Sequence, residues 1–142
     1  MSKMLMFSLS LLSVSLFLLP APTGAHAQIA QETPLITKDL PDVPGKEGLI
    51  EIVVLKPGEV VPAHRHNADV FAYVLEGSII SQLEGGKSQT VHAGEVFYES
   101  PTDVHIASRN ASATQSARLL VFFVKQKGAP PTVVVGKTNA TH

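Results

Sequence analysis

The sequence predicts an all-β fold, a sandwich or barrel formed by a single domain. Three observations carry this. No segment beyond residue 27 sustains a 3.6-residue apolar period, so no amphipathic helix is signalled. Short β-branched and apolar runs recur instead, LIEIVVL at 49–55 and ARLLVFFV at 117–124 being the most apolar. Between such runs fall turn-forming pairs, Pro57-Gly58, Gly85-Gly86 and Ala93-Gly94. A jelly-roll arrangement protects the sheet edges that this many short strands create.

Each element follows in order. Residues 28–48 read as an irregular N-terminal segment, because Pro34, Pro41, Pro44, Gly45 and Gly48 forbid a long helix there. Such a segment covers one sheet edge. Residues 49–55 are a strand, and Lys56-Pro57-Gly58-Glu59 is a turn in which proline presets φ and glycine permits positive φ. Residues 60–66 are the next strand, with Pro62 implying irregular or edge pairing. Strands at 70–76 and 78–84 meet at Gly77, and Gly85-Gly86 turns the chain into a strand at 88–92. Short strands at 96–99 and 104–108 flank the turn at 100–103. The polar run 110–116 is a loop, 117–124 is a strand, 127–131 is a turn, and 132–135 adds a last strand before a frayed tail at 136–142. Phe71, Tyr73, Phe97, Phe122 and Phe123 are expected in the core.

Composition narrows the function. The chain has 142 residues, 44% hydrophobic and 16% charged, which fits one folded domain rather than disorder. With 11 basic and 12 acidic side chains and no basic stripe, nucleic acid is excluded as a partner. The absence of cysteine excludes disulfides, thiolate metal sites and a cysteine nucleophile. Residues 1–27 read as an export signal: Lys3 supplies the positive start, 4–19 are apolar but for serines, and Ala25-His26-Ala27 is a small-x-small cleavage pattern. The apolar run falls short of the ~20 residues of a membrane span, so no stable membrane insertion is expected after cleavage. The expected location is periplasmic or secreted.

The chemistry centres on residues 58–77, where His64 and His66 stand two apart in a strand-like run. In a strand, residues i and i+2 share a face roughly 6.6–6.8 Å apart, so two imidazoles so placed can converge on one metal ion. A pair alone is too few ligands for a stable site. The rest of the chain has to supply the third. His92 lies beside a turn and reads as exposed, while Gln82 is a possible cavity-facing hydrogen-bond donor or a surface residue. Tyr98 and Glu99 precede a turn and are candidate acids or bases, and the sequons at Asn110 and Asn139 are matches by pattern only.

These residues resemble the cupin family of small β-barrels. Its first motif runs glycine, five residues, HxH, three or four residues, glutamate, six residues, glycine, and Gly58, His64, His66 and Gly77 fall in register. Its second runs glycine, five residues, PxG, two residues, histidine, three residues, asparagine, and Gly94 and His105 fall in register. The phrases YVLEG at 73–77 and SRNASAT at 108–114 also resemble a bacterial single-domain subfamily. The likeness spans about 49–124 and gives a division into signal (1–27), irregular segment (28–48), cupin domain (49–126) and C-terminal extension (127–142).

The sequence departs from the family at the glutamate, which is Val70, at PxG, where Ser100 and Thr102 stand, and at the asparagine, which is Arg109 with Asn110 next. The resemblance implies a jelly-roll β-barrel holding one divalent transition metal (Fe, Mn, Zn, Cu or Ni) on His64, His66 and His105. Asp69 adjoins Val70, but strand alternation points it to the other face. A three-histidine face without carboxylate is similar to that of some cupin-type dioxygenases. The implied function is a metal-dependent enzyme, such as a dioxygenase, acting on an oxygen-bearing small molecule. A non-enzymatic ligand- or metal-binding module and a degenerate metal-free cupin stay open beside it. Homodimerisation by strand exchange is a further implication by family analogy.

Overall fold

The computed structural model describes residues 30–136. They form eleven strands and, among the described residues, no helix. The strands are β1 Gln31–Asp39, β2 Lys46–Leu55, β3 Val60–Val61, β4 His64–Arg65, β5 Ala68–Glu76, β6 Ser78–Leu83, β7 Gln89–His92, β8 Val96–Glu99, β9 His105–Asn110, β10 Ala117–Gln126 and β11 Val133–Val134. The expected export signal lies outside the described residues, as does all of the expected tail beyond Gly136.

Two antiparallel sheets enclose the core. One has the order β1-β2-β10-β5-β8; the other has the order β11-β4-β9-β6-β7, with β3 also pairing to β9. The ladders do not join the two sheets, so the jelly-roll is a flattened sandwich rather than a hydrogen-bonded barrel. Alternation along β10 explains the packing. Leu119, Val121 and Phe123 face inward, while Arg118, Leu120 and Phe122 turn out. The inner face meets Val61, Ile79 and Val91 of the opposite sheet. Phe123 is among the largest fully buried side chains, and burial of such a ring stabilises by about 1.5–3 kcal/mol.

Four expectations change. The segment 28–48 is not irregular: it carries β1, a nine-residue edge strand paired to β2. Its proline excludes a helix but not an edge strand, and the register shifts between Pro34 and Ile36. The single strand expected at 60–66 is split into β3 and β4 around Pro62, which has no N–H to give to a ladder. Phe71 and Tyr73 are not core residues; they lie on the outer face, where Phe71 packs against Tyr98 and Phe122 at centroid distances of 5.2 and 6.3 Å. Both faces of β5 carry apolar residues, so alternation alone left the inward side undetermined.

Asn110, read as the start of a loop, ends β9 and is buried. Its amide nitrogen donates to the carbonyls of Leu55, Lys56 and Gln115, and its oxygen accepts from the Ser112 N–H. The sequon asparagine is thus a structural tie. Gly77 turns β5 into β6 with φ near 75°, where an added Cβ would fall 3.0 Å from the Ser116 carbonyl oxygen. At the other end, buried Lys125 pairs with Glu47 and donates to the Ala129 carbonyl at 2.6 Å. The ammonium group holds the Glu47 carboxyl below the usual carboxylate range.

Candidate metal centre

The three histidines meet. His64 and His105 are direct partners across β4 and β9, which places their side chains on one face, and their ring centroids are 5.1 Å apart. His66 follows β4 by one residue and lies 5.0 Å from His64, ring to ring. Asn67 next to it takes φ 47°, a left-handed turn that asparagine tolerates, and this turns the chain into β5. One donor nitrogen from each of His64, His66 and His105 lies within 4.8 Å of the other two. The rings are buried or nearly so, and the His66 ring packs edge-on against Phe123 at 5.3 Å.

Each ring is oriented by a partner on its outer nitrogen. His64 Nδ1–H donates to the Pro62 carbonyl at 2.8 Å, and His66 Nδ1–H to the Pro131 carbonyl at 3.1 Å, with the Thr132 hydroxyl also 3.1 Å away. A carbonyl only accepts, so both rings carry their proton on Nδ1 and present a bare Nε2. His105 is the reverse: Nε2 bonds to Ser81 Oγ at 2.8 Å, and its buried Nδ1 has no hydrogen-bond partner. Burial first, then the neighbouring imidazoles, hold His66 at about 4 and His105 at about 3, and burial also lowers His64. All three are neutral ligands at pH 7.

Glu99 lies against two of the three rings. Its Oε2 lies 3.4 Å from His66 Nε2 and 3.4 Å from His105 Nδ1. These are not ion pairs at neutral pH, since burial, aided by Asp103, pushes the Glu99 carboxyl up to about 8 while both imidazoles stay uncharged. Nor are they hydrogen bonds of ordinary length. A spacing of about 3.4 Å is the edge of a tetrahedron whose ligand bonds are about 2.1 Å. An orphaned nitrogen, imidazoles fixed from behind and donors at metal-ligand spacing together fit a metal ion.

Val70 and Glu99 are direct partners across β5 and β8. The Glu99 carboxyl therefore reaches His66 and His105 from the strand beside Val70. Asp69 stays out: it accepts from the Tyr98 hydroxyl at 2.7 Å on the outer face. Tyr98, a candidate acid or base, is exposed there, and His92 is exposed and bonded to Ser78. Gln82 donates to the Gly86 carbonyl in its own turn and misses the cavity. Its neighbour Ser81 is the residue that reaches His105. Ile79 and Ile80 are both apolar, so the inward face of β6 was ambiguous by pattern.

The cluster opens onto a cavity of about 70 Å³ whose walls are largely apolar, including Val53, Leu55, Ile79, Phe97 and Leu119. Glu32 and Glu51 line it as well. Sequence reasoning passed over Glu51, although a lone acid in the middle of LIEIVVL was a visible signal.

Two sheets packed face to face, with three histidines directed between them, define a small jelly-roll domain. The cupin domain profile matches residues 51–123, and the chain belongs to the cupin family. Among solved structures, an uncharacterized conserved protein with a double-stranded beta-helix domain from Klebsiella pneumoniae subsp. pneumoniae MGH 78578 matches with TM-score 0.59 and 15% identity, over 78% of this chain and 88% of that one. The polyketide cyclase RemF from Streptomyces resistomycificus matches with TM-score 0.57 and 23% identity, over 78% and 75%. The DMSP lyase DddQ from Ruegeria pomeroyi DSS-3 matches with TM-score 0.55 and 19% identity, over 62% of this chain; the matched part is 43% of that protein's length. At these identities the likeness is one of fold. No curated protein matches the chain in sequence.

Proposed function

We propose that this protein is a mononuclear metal-binding cupin in which His64, His66 and His105 hold one divalent transition metal, with Glu99 as the fourth donor, and that it acts on an oxygen-bearing small molecule. The observation that carries the reading is the convergence of three ring nitrogens, one of them buried without a partner. When bound, the metal supplies a Lewis acid for a carbonyl, phenolic or hydroxyl oxygen, or a site for dioxygen as in a dioxygenase. Pro62, Pro131 and Ser81 orient the three rings from behind, and such outer partners tune a metal site. Glu99 gives up its proton to act as a ligand. The apolar walls keep bulk water from the centre, and the cavity volume restricts the ligand to a small molecule.

The positive start, apolar run and small-x-small pattern of residues 1–27 support an exported protein, periplasmic or secreted. Zinc, copper and manganese are then favoured over ferrous iron. All nine residues of β1 are exposed, and its free edge offers a second copy a strand to pair with.

Elemental analysis of the purified protein beside His64→Ala and His105→Ala tests the centre. About one metal ion per chain is expected in the parent and at least tenfold less in each variant. A parent without metal, or variants that keep it, would return the chain to the metal-free reading. Oxygen uptake across a panel of small oxygenated molecules then separates enzyme from binding module.

A further inference from the structure

The cavity holds a second polar group that the metal centre does not use. Glu51 sits in the middle of β2 and is 2% exposed. Along the inner face its neighbours are Leu49 and Val53, and its partner across β10 is Val121. Its carboxyl makes no hydrogen bond among the described residues. Glu47, four residues earlier on the same strand, shows what a structural acid looks like here: it is tied to Lys125 and to the Gly128 N–H. Among the described residues Glu51 has no such tie, yet it lines the cavity.

Glu32 lines the same cavity from β1. It pairs with Val53, which makes it the diagonal neighbour of Glu51 on one face. Neither lysine nor arginine lines the cavity. Burial, with the charge of Glu32 added, pushes the Glu51 carboxyl up to about 7. An anionic ligand group would add a further negative charge at this end. An ammonium group brings three N–H donors and the missing opposite charge.

We propose that Glu51, with Glu32 beside it, forms a subsite for the protonated primary amine of a small ligand. The subsite shares its cavity with the histidine cluster but does not depend on a metal. The fuller picture, a ligand with an amine at one end and an oxygen donor at the other, rests on the metal centre proposed above.

Three probes of equal size separate the possibilities: n-propylammonium, 1-propanol and propanoate. Each is titrated into the metal-stripped full-length chain at pH 8 and followed by NMR shifts. Propylammonium is expected to bind about tenfold more tightly than 1-propanol, with propanoate weakest. Glu51→Gln keeps the shape of the side chain and is expected to bring propylammonium within about twofold of the alcohol; its melting temperature confirms folding. His64→Ala, which disables the metal centre, is expected to keep the preference for the amine. Equal binding of all three probes, no binding of any, tightest binding of propanoate, or a preference that survives Glu51→Gln would each overturn the subsite. None of these results bears on metal content, so the two proposals fail separately.

Discussion

The two sheets bring opposite chemistry to the cavity. The sheet of β3, β4, β6, β7, β9 and β11 supplies imidazole: His64 comes from β4, His105 from β9, and His66 from the residue after β4. The sheet of β1, β2, β5, β8 and β10 supplies carboxyls: Glu32 from β1, Glu51 from β2 and Glu99 from β8. They also differ in build. The acid-bearing sheet has strands of nine and ten residues in long ladders, and most of the buried apolar core. The histidine-bearing sheet is broken into pieces as short as two residues around Pro62, which is what lets neighbouring rings tilt toward one point. One sheet is the foundation and the other is the adjustable face.

Phe123→Ala probes the foundation and has the largest expected effect. It removes a fully buried ring from β10, and a loss of about 3–5 kcal/mol of unfolding free energy is expected in urea titrations. A loss below 1 kcal/mol would show that the long sheet is not the stabilising half. The next effect concerns the division of donors. Glu99→Val is expected to weaken metal binding about 10- to 100-fold in chelator competition. The pair Val70→Glu with Glu99→Val returns a carboxyl from the adjacent strand and is expected to recover most of that loss. If the double variant binds no better than Glu99→Val, the cross-strand exchange of the carboxyl is wrong.

The smallest expected effect is a pH slope. The folded state raises Glu51 to about 7 from 4.5, so the native protein holds a proton that the unfolded chain releases. That stabilisation is full below 4.5 and fades as pH rises through 7. Glu99 adds a slope of the same sign, up to about 8. Above pH 6.5, where the three lowered histidines are neutral in both states, melting temperatures of the metal-free protein should therefore fall up to about pH 8, and Glu51→Gln should flatten part of the fall. An unchanged slope would place Glu51 in water rather than against apolar walls.

Much of this was legible in the sequence. Alternation and turn chemistry gave the fold class, and the spacing of Gly58, His64, His66, Gly94 and His105 singled out, by resemblance, the three histidines that converge. What escaped was register. Ser81 rather than Gln82 faces inward, and Phe71 faces outward, because two adjacent apolar residues satisfy either side of a strand. Glu99 was visible only as a candidate acid or base near a turn. Its approach to the histidines depends on which residue it pairs with on β5, a long-range fact that no local pattern encodes. Edge strand β1 escaped because its proline excluded a helix without revealing that β2 had a free side to offer.

The grip on His66 comes from Pro131 and Thr132, beyond the last residue, 123, that the family profile recognises. β11 then pairs with β4 and secures that grip. Anyone trimming this protein to its recognisable core would discard the clasp that aims one of its three rings.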